Sequence, residues 1–206
     1  MFGRSVLPRV ARTGILMAAA LLPLACAQKV TRIDPASVTD LSGRWNDTDS
    51  RLVASELIAS SLQDPWLTRH RQSRGGDAPV VIVGSFRNRT MEHIQVQTFV
   101  RDLERAYVSS GAVRVVASAA ERQELRDERV DQQEHASAAT RARLARETGA
   151  QYMLQGDISA IEDRAGRERV IYYQIDASLI DLESNEKVWT GQKRIKKLIT
   201  QPRFGR

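Results

Sequence analysis

A chain of 206 residues, 42% hydrophobic and 27% charged, can bury one ordinary core, and that balance excludes disorder along its whole length. The formal charge of +6 is partly local, because Arg4, Arg9 and Arg12 precede the first apolar run and no acidic residue comes before Asp34. Setting those three aside from the 31 lysines and arginines leaves 28 against 25 acidic residues, a field too weak to mark a nucleic-acid binder.

The basic start is followed by GILMAAALLPLA, Gly14 to Ala25, which is much shorter than the ~20 residues a spanning helix needs. A basic region, a short apolar run and the small Ala25 ahead of Cys26 predict a signal peptide over residues 1–25. The junction Leu22-Pro23-Leu24-Ala25-Cys26 resembles a bacterial lipobox, in which the cysteine thiol is lipidated and becomes the new N-terminus. Cys26 is the chain's single cysteine, so no intrachain disulfide can form; lipidation is favoured over a conventional cleavage nearby that would leave it incidental. Ala27 follows it rather than Asp, which by resemblance to enterobacterial sorting signals implies anchoring at the outer membrane, facing the periplasm. Residues 26–44 are polar, carry Pro35 and Gly43 and show no apolar period, so they read as a lipid-anchored tether spanning at most roughly 60 Å.

A globular domain is expected over residues 45–206. Asn46 to Asp49 offers several N-cap side chains, and Leu52, Val53, Leu57, Ile58 and Leu62 follow on a helical stripe. Asp64-Pro65 then predicts a capped second helix through about Arg71. Pro79 to Phe86 is a continuous apolar run that suits a buried strand. A helix with Val96, Phe99, Val100, Leu103 and Tyr107 on one face follows, stopped by Gly111, and Val113 to Val116 supplies the next strand. A charged, exposed helix is expected over 119–130 and an alanine- and arginine-rich one over 136–148, ending at Gly149.

From Tyr152 the chain turns to strands: Tyr152 to Ile161, Arg169 to Leu182 and Lys187 to Ile195, joined by the polar connections Asp163 to Glu168 and Ser184 to Glu186. In the middle run Ile171, Tyr173, Ile175, Ala177 and Leu179 alternate with Tyr172, Gln174, Asp176 and Ser178, which predicts a central strand with one face on the core. The fold class is therefore α/β (α+β): a small mixed β-sheet flanked by helices, ending in a three-stranded antiparallel meander.

Four separated stretches carry a resemblance: Asp40 to Asp49 (DLSGRWNDTD), Val83 to Thr90 (VGSFRNRT), Gly149 to Gly156 (GAQYMLQG), and Leu179 to Trp189 (LIDLESNEKVW) with Gly191-Gln192-Lys193 beyond it. Together they resemble the LpoB-type penicillin-binding protein activators. The resemblance implies a periplasm-facing outer-membrane lipoprotein that binds and activates a class A (bifunctional) penicillin-binding protein in peptidoglycan synthesis. It also implies a fold similar to the N-terminal domain of TolB. A related arrangement in CsgG-type proteins supplies the alternative, a structural or secretion-linked envelope lipoprotein.

No nucleophile and base pair, phosphate loop or metal-ligand spacing is recognisable, and His70, His93 and His135 are isolated, so no enzyme, cofactor or metal is expected. The expected state is a monomer. The Arg87-Asn88-Arg89-Thr90 stretch reads either as a polar patch meeting an acidic partner, through Arg87 and Arg89, or as a loop that turns the chain and caps the next helix. Arg164, Arg167 and Arg169 are expected at the tip of a hairpin beside Tyr172 or Tyr173, either as a docking element or as a solvated loop. Trp189 reads as a core or edge-covering aromatic, and beyond Glu186 the chain carries lysines and arginines with no acid.

Overall fold

The computed structural model describes residues 29–118, 121–128 and 149–201. Contacts divide the chain into a unit ending at Pro35, whose described residues are exposed and irregular, and a second unit from Ala36 onward. The second unit therefore begins before Trp45 and includes part of the expected tether. The signal peptide, Cys26, His135 and the helix expected over 136–148 lie outside the described residues.

Helix α1 (Asp47–Gln63) begins where Asn46 and Asp49 close a capping box: the Asp49 amide donates to Asn46 Oδ1 at 3.1 Å and the Asn46 amide to Asp49 Oδ2 at 3.0 Å. Of the expected stripe, Val53, Leu57 and Ile58 are buried, whereas Leu52 is half exposed and Ala54 and Ser61 take its place inward. Helix α2 (Pro65–Ser73) starts at the Asp64 cap with proline in the first turn, where its missing N–H costs no hydrogen bond. Strand β1 (Val80–Asn88) is followed by α3 (Val96–Ser110), whose Phe99, Val100, Leu103 and Tyr107 are buried. Gly111, at φ 63°, ends α3 in the left-handed conformation that glycine adopts without steric cost. Strand β2 (Arg114–Val115) is short, and residues 121–128 are helical and largely exposed.

Strands β3 (Tyr152–Ala165), β4 (Glu168–Asp181) and β5 (Lys187–Thr200) form the expected meander. The sheet order is β2-β1-β3-β4-β5, with β1 parallel to β2 and β3, and the last three strands antiparallel. The first hairpin differs from expectation: pairing continues to Ala165 opposite Glu168, so the connection is Gly166-Arg167 rather than six residues. Gly166 at φ 57° supplies the positive dihedral that such a tight turn requires.

Every residue on the predicted core face of β4, from Ile171 to Leu179, is buried. Helix α1 packs on α3 and β5, and α3 on β1 and β2. Burying each large side chain here contributes about 1.5–3 kcal/mol. The ring of Trp45 meets Phe99 and Tyr173 edge-on at 6.0 and 5.6 Å, and Phe86 meets Phe99 at 5.2 Å. Trp189 is in the core. His70 is buried as well, its Nδ1 at 2.8 Å from the Tyr152 hydroxyl, and burial holds its pKa below the ordinary histidine value.

Gly156 occupies a tight point of this core. A Cβ there would lie 2.5 Å from Phe86 Cε1 and closer still to the Asp176 carbonyl oxygen, which belongs to the β4 backbone and cannot turn aside. Gly156→Ala is expected to cost about 1–3 kcal/mol and lower the Tm by several degrees. Gly149→Ala, whose added methyl meets nothing within 4 Å, is expected to leave thermal unfolding by circular dichroism unchanged.

Candidate functional site

The period of two in the meander produces two chemically different faces. One carries Ile158, Ile171, Tyr173, Ile175 and Trp189 and packs against the helices. The outward face carries a row of polar side chains and then, toward the first hairpin, apolar ones. Asp176 accepts from Gln174 Nε2 at 2.8 Å and from Gln192 Nε2 at 2.7 Å, and Gln192 Oε1 accepts from Arg194 Nε at 2.5 Å. Next along the strands, Ile161 pairs across from Tyr172, and Val170 from Leu198. Ile161 is 68% exposed and Leu198 64%, an apolar surface next to the cations Arg194 and Lys196.

The sequence-predicted contact residues are split between these faces. Tyr172 is half-buried on the outward face, its hydroxyl 3.4 Å from Gln174 Oε1. Tyr173 faces the other way and is fully buried; its hydroxyl donates to Glu92 at 2.8 Å, and burial, reinforced by that carboxylate, raises its pKa. It is a core residue and offers no surface to a partner. Arg164 and Arg169 are cross-strand neighbours on the helix-side face, not beside Tyr172. Arg169 is largely covered, reaching Glu162 Oε1 and the Ser42 carbonyl, each at 3.5 Å. Arg164 and Arg167 are exposed, and Arg167 occupies the turn itself.

Arg87 and Arg89 converge on a carboxylate of the protein itself. Arg87 holds Asp157 with two bonds, Nε to Oδ1 at 2.8 Å and Nη2 to Oδ2 at 3.0 Å, and Arg89 Nε reaches Oδ1 at 3.2 Å. The Arg87 hydrogen bond holds the Asp157 pKa below the ordinary carboxylate value. Asn88 and Thr90 close the loop locally, the Thr90 amide donating to Asn88 Oδ1 at 2.9 Å and Asn88 Nδ2 to the Glu92 carbonyl at 2.7 Å. They do not cap α3, whose N-cap is Gln95 without a side-chain bond.

Two carboxylate clusters were not legible beforehand. Glu92 accepts from both the Trp45 amide, at 3.2 Å, and the Tyr173 hydroxyl. Lys197 Nζ, nearly covered, donates to Asp40 at 2.6 Å, to Asp49 at 2.7 Å and to the Arg44 carbonyl at 3.2 Å. This pins residues 40–44 to β5. Among the described residues no group of three or more His, Cys, Asp or Glu is placed to hold a metal ion.

A family model described as peptidoglycan-synthase activator LpoB matches residues 49–195, which span the capped α1 through the cationic part of β5. The chain belongs to the LpoB family. Members of this family are regulators of peptidoglycan synthases rather than enzymes, and are periplasm-facing lipoproteins. Among solved structures, the C-terminal domain of Escherichia coli LpoB aligns at 20% identity over 64% of this chain and 96% of its own, with a TM-score of 0.37. The corresponding domain of Salmonella enterica LpoB aligns at 23% identity over 65% and 94%, with a TM-score of 0.33. The lipoprotein GNA1162 from Neisseria meningitidis aligns at 14% identity over 58% and 83%, with a TM-score of 0.40. No curated protein sequence matches the chain.

The Lys197 cluster carries a pH dependence. The hydrogen bond from Lys197 holds the Asp40 pKa below its ordinary value; burial acts to lower the Lys197 pKa, but its bonds to Asp40 and Asp49 outweigh it and the net shift is upward. Above the ordinary Asp pKa the folded and unfolded chains are both ionised and this stabilisation is complete; it fades as pH falls below about 4, where the unfolded chain takes up protons first. Lys197→Met, which leaves the covered Asp49 with its Asn46 amide bond but without its ion pair, is expected to cost about 3–5 kcal/mol at pH 7. Urea unfolding of both proteins should show that difference shrinking between pH 5 and pH 2.

Proposed function

We propose that this protein binds a class A (bifunctional) penicillin-binding protein and stimulates its peptidoglycan synthesis, acting as a noncatalytic activator held at the outer membrane by a lipid on Cys26. The observation that carries the reading is the match to the LpoB model over most of the globular domain. The N-terminal sequence supports it, since a basic start and short apolar run lead to a single cysteine in a lipobox-like setting.

The docking surface assigned by this reading is the outward face of the meander at its first hairpin. Ile161, Tyr172 and Leu198 are apolar and accessible there, with Arg167 at the turn, a mixture that suits a protein contact. Arg87 and Arg89 serve mainly to hold Asp157, and Arg164 and Arg169 lie on the reverse side, so these four are secondary. The pinning of residues 40–44 also limits reach. Between Cys26 and Ala36 the chain can extend at most about 35 Å, so the synthase must approach the anchoring membrane.

In a reconstituted assay, glycan polymerisation by a purified class A synthase of the same organism should accelerate when the protein is added. Tyr172→Ala is expected to weaken that complex by about 1–2 kcal/mol, five- to thirty-fold in Kd, with the Tm unchanged. A synthase whose rate does not respond to the unmodified protein would contradict the activator reading.

A further inference from the structure

The sheet ends in an edge strand of unusual length for its exposure. β5 has 14 residues and pairs on one side only, with β4, in regular register from Trp189 to Thr200. At the opposite edge β2 has only two residues. Among the described residues no backbone hydrogen bond joins the outer edge of β5 to another segment; residues 40–44 pack beside Lys197 and Ile199, and before those two residues the outward N–H and C=O groups remain open to pairing.

The charges on that strand are sorted by face. On the helix side, Lys193 pairs with Glu56, and Lys197 with Asp40 and Asp49. The remaining cations, Lys187, Arg194 and Lys196, have no carboxylate partner among the described residues, and the sequence holds no acidic residue from Lys187 to Arg206. Two β5 edges meeting each other would bring these cations together, so a second copy is disfavoured. An acidic strand meets no such repulsion. Leu198, 64% exposed, adds an apolar contact on the same outward face as Arg194 and Lys196.

We infer that the outer edge of β5 is a strand-addition site for an extended, acidic segment of a partner protein, held by backbone pairing and read by Arg194, Lys196 and Leu198. Main-chain hydrogen bonds along the edge provide affinity without regard to sequence, and alternate side chains provide selection. In the added strand, acidic side chains face Arg194 and Lys196, and an apolar one lies beside Leu198. The inference deepens the activator reading by naming the chemistry of the segment a synthase would present, and it can be tested without a synthase.

The experiment is hydrogen-exchange mass spectrometry on the full chain in detergent micelles. The probes are a synthetic peptide in which Glu alternates with Val and a second in which Lys alternates with Val. The Glu–Val peptide is expected to slow exchange of amides in 187–200, and the Lys–Val peptide to leave them unchanged. Binding should weaken as salt rises. The double variant Arg194→Glu, Lys196→Glu, both side chains being exposed, is expected to bind about tenfold more weakly with an unchanged Tm. Protection confined to another segment, equal protection by both peptides, no protection, or protection of β5 by self-association without peptide would each overturn the inference. A synthase that fails to respond while the Glu–Val peptide still protects β5 would count against the activator reading and leave this site standing.

Discussion

The alternation of side chains along β4 is the constraint on which the other features depend. Because Ile171, Tyr173, Ile175, Ala177 and Leu179 all point inward, a shift of one residue would expose five core positions and bury Tyr172, Gln174 and Asp176. That register fixes β3 and β5 on either side, and through them the orientation of the outward face. It also fixes the buried Tyr173 hydroxyl, which is satisfied by Glu92, a carboxylate that simultaneously holds the Trp45 amide at the entrance to α1. Core packing and the docking of the N-terminal segment thus meet at one carboxylate.

Electrostatics then separates the two sides of the meander. Carboxylates contributed by α1 and the segment before it neutralise the helix-side lysines of β5, whereas the outward Lys187, Arg194 and Lys196 have no carboxylate partner among the described residues. Asp157 similarly engages Arg87 and Arg89. The protein is only modestly basic overall, yet the outward side of β5 is locally basic, because Arg194 and Lys196 lie close together there with no acidic residue on the strand. Such an arrangement favours orientation and selectivity of association over a long-range pull on any anion.

Among the described residues, the order and type of elements were legible because each has a local physical signal. Asn46 with Asp49 marks a helix start, Gly111 a helix stop, the Pro79 to Phe86 run a buried strand, and the alternation from Ile171 to Leu179 a half-buried one. The candidate site was less legible, since it depends on pairings far apart in sequence. No local pattern links Asp40 or Asp49 to Lys197, Glu92 to Tyr173, or Asp157 to Arg87. The hairpin arginines were misplaced relative to Tyr172 because the strands run on to Ala165 and Glu168; once Arg164 and Arg169 are paired strand residues, alternation assigns them to the helix side. The length of that hairpin could not be read from polar composition, as exposed strand ends and loops use the same residues.

The most direct test of the account is site-specific photocrosslinking in intact cells, with the reactive side chain placed at Tyr172 on the outward face and, in a parallel strain, at the exposed Val108 on α3. The account predicts a covalent adduct between a class A penicillin-binding protein and the Tyr172 position, absent from the Val108 position. Adducts formed only with further copies of the protein or with export components, or a synthase adduct only at Val108, would contradict it.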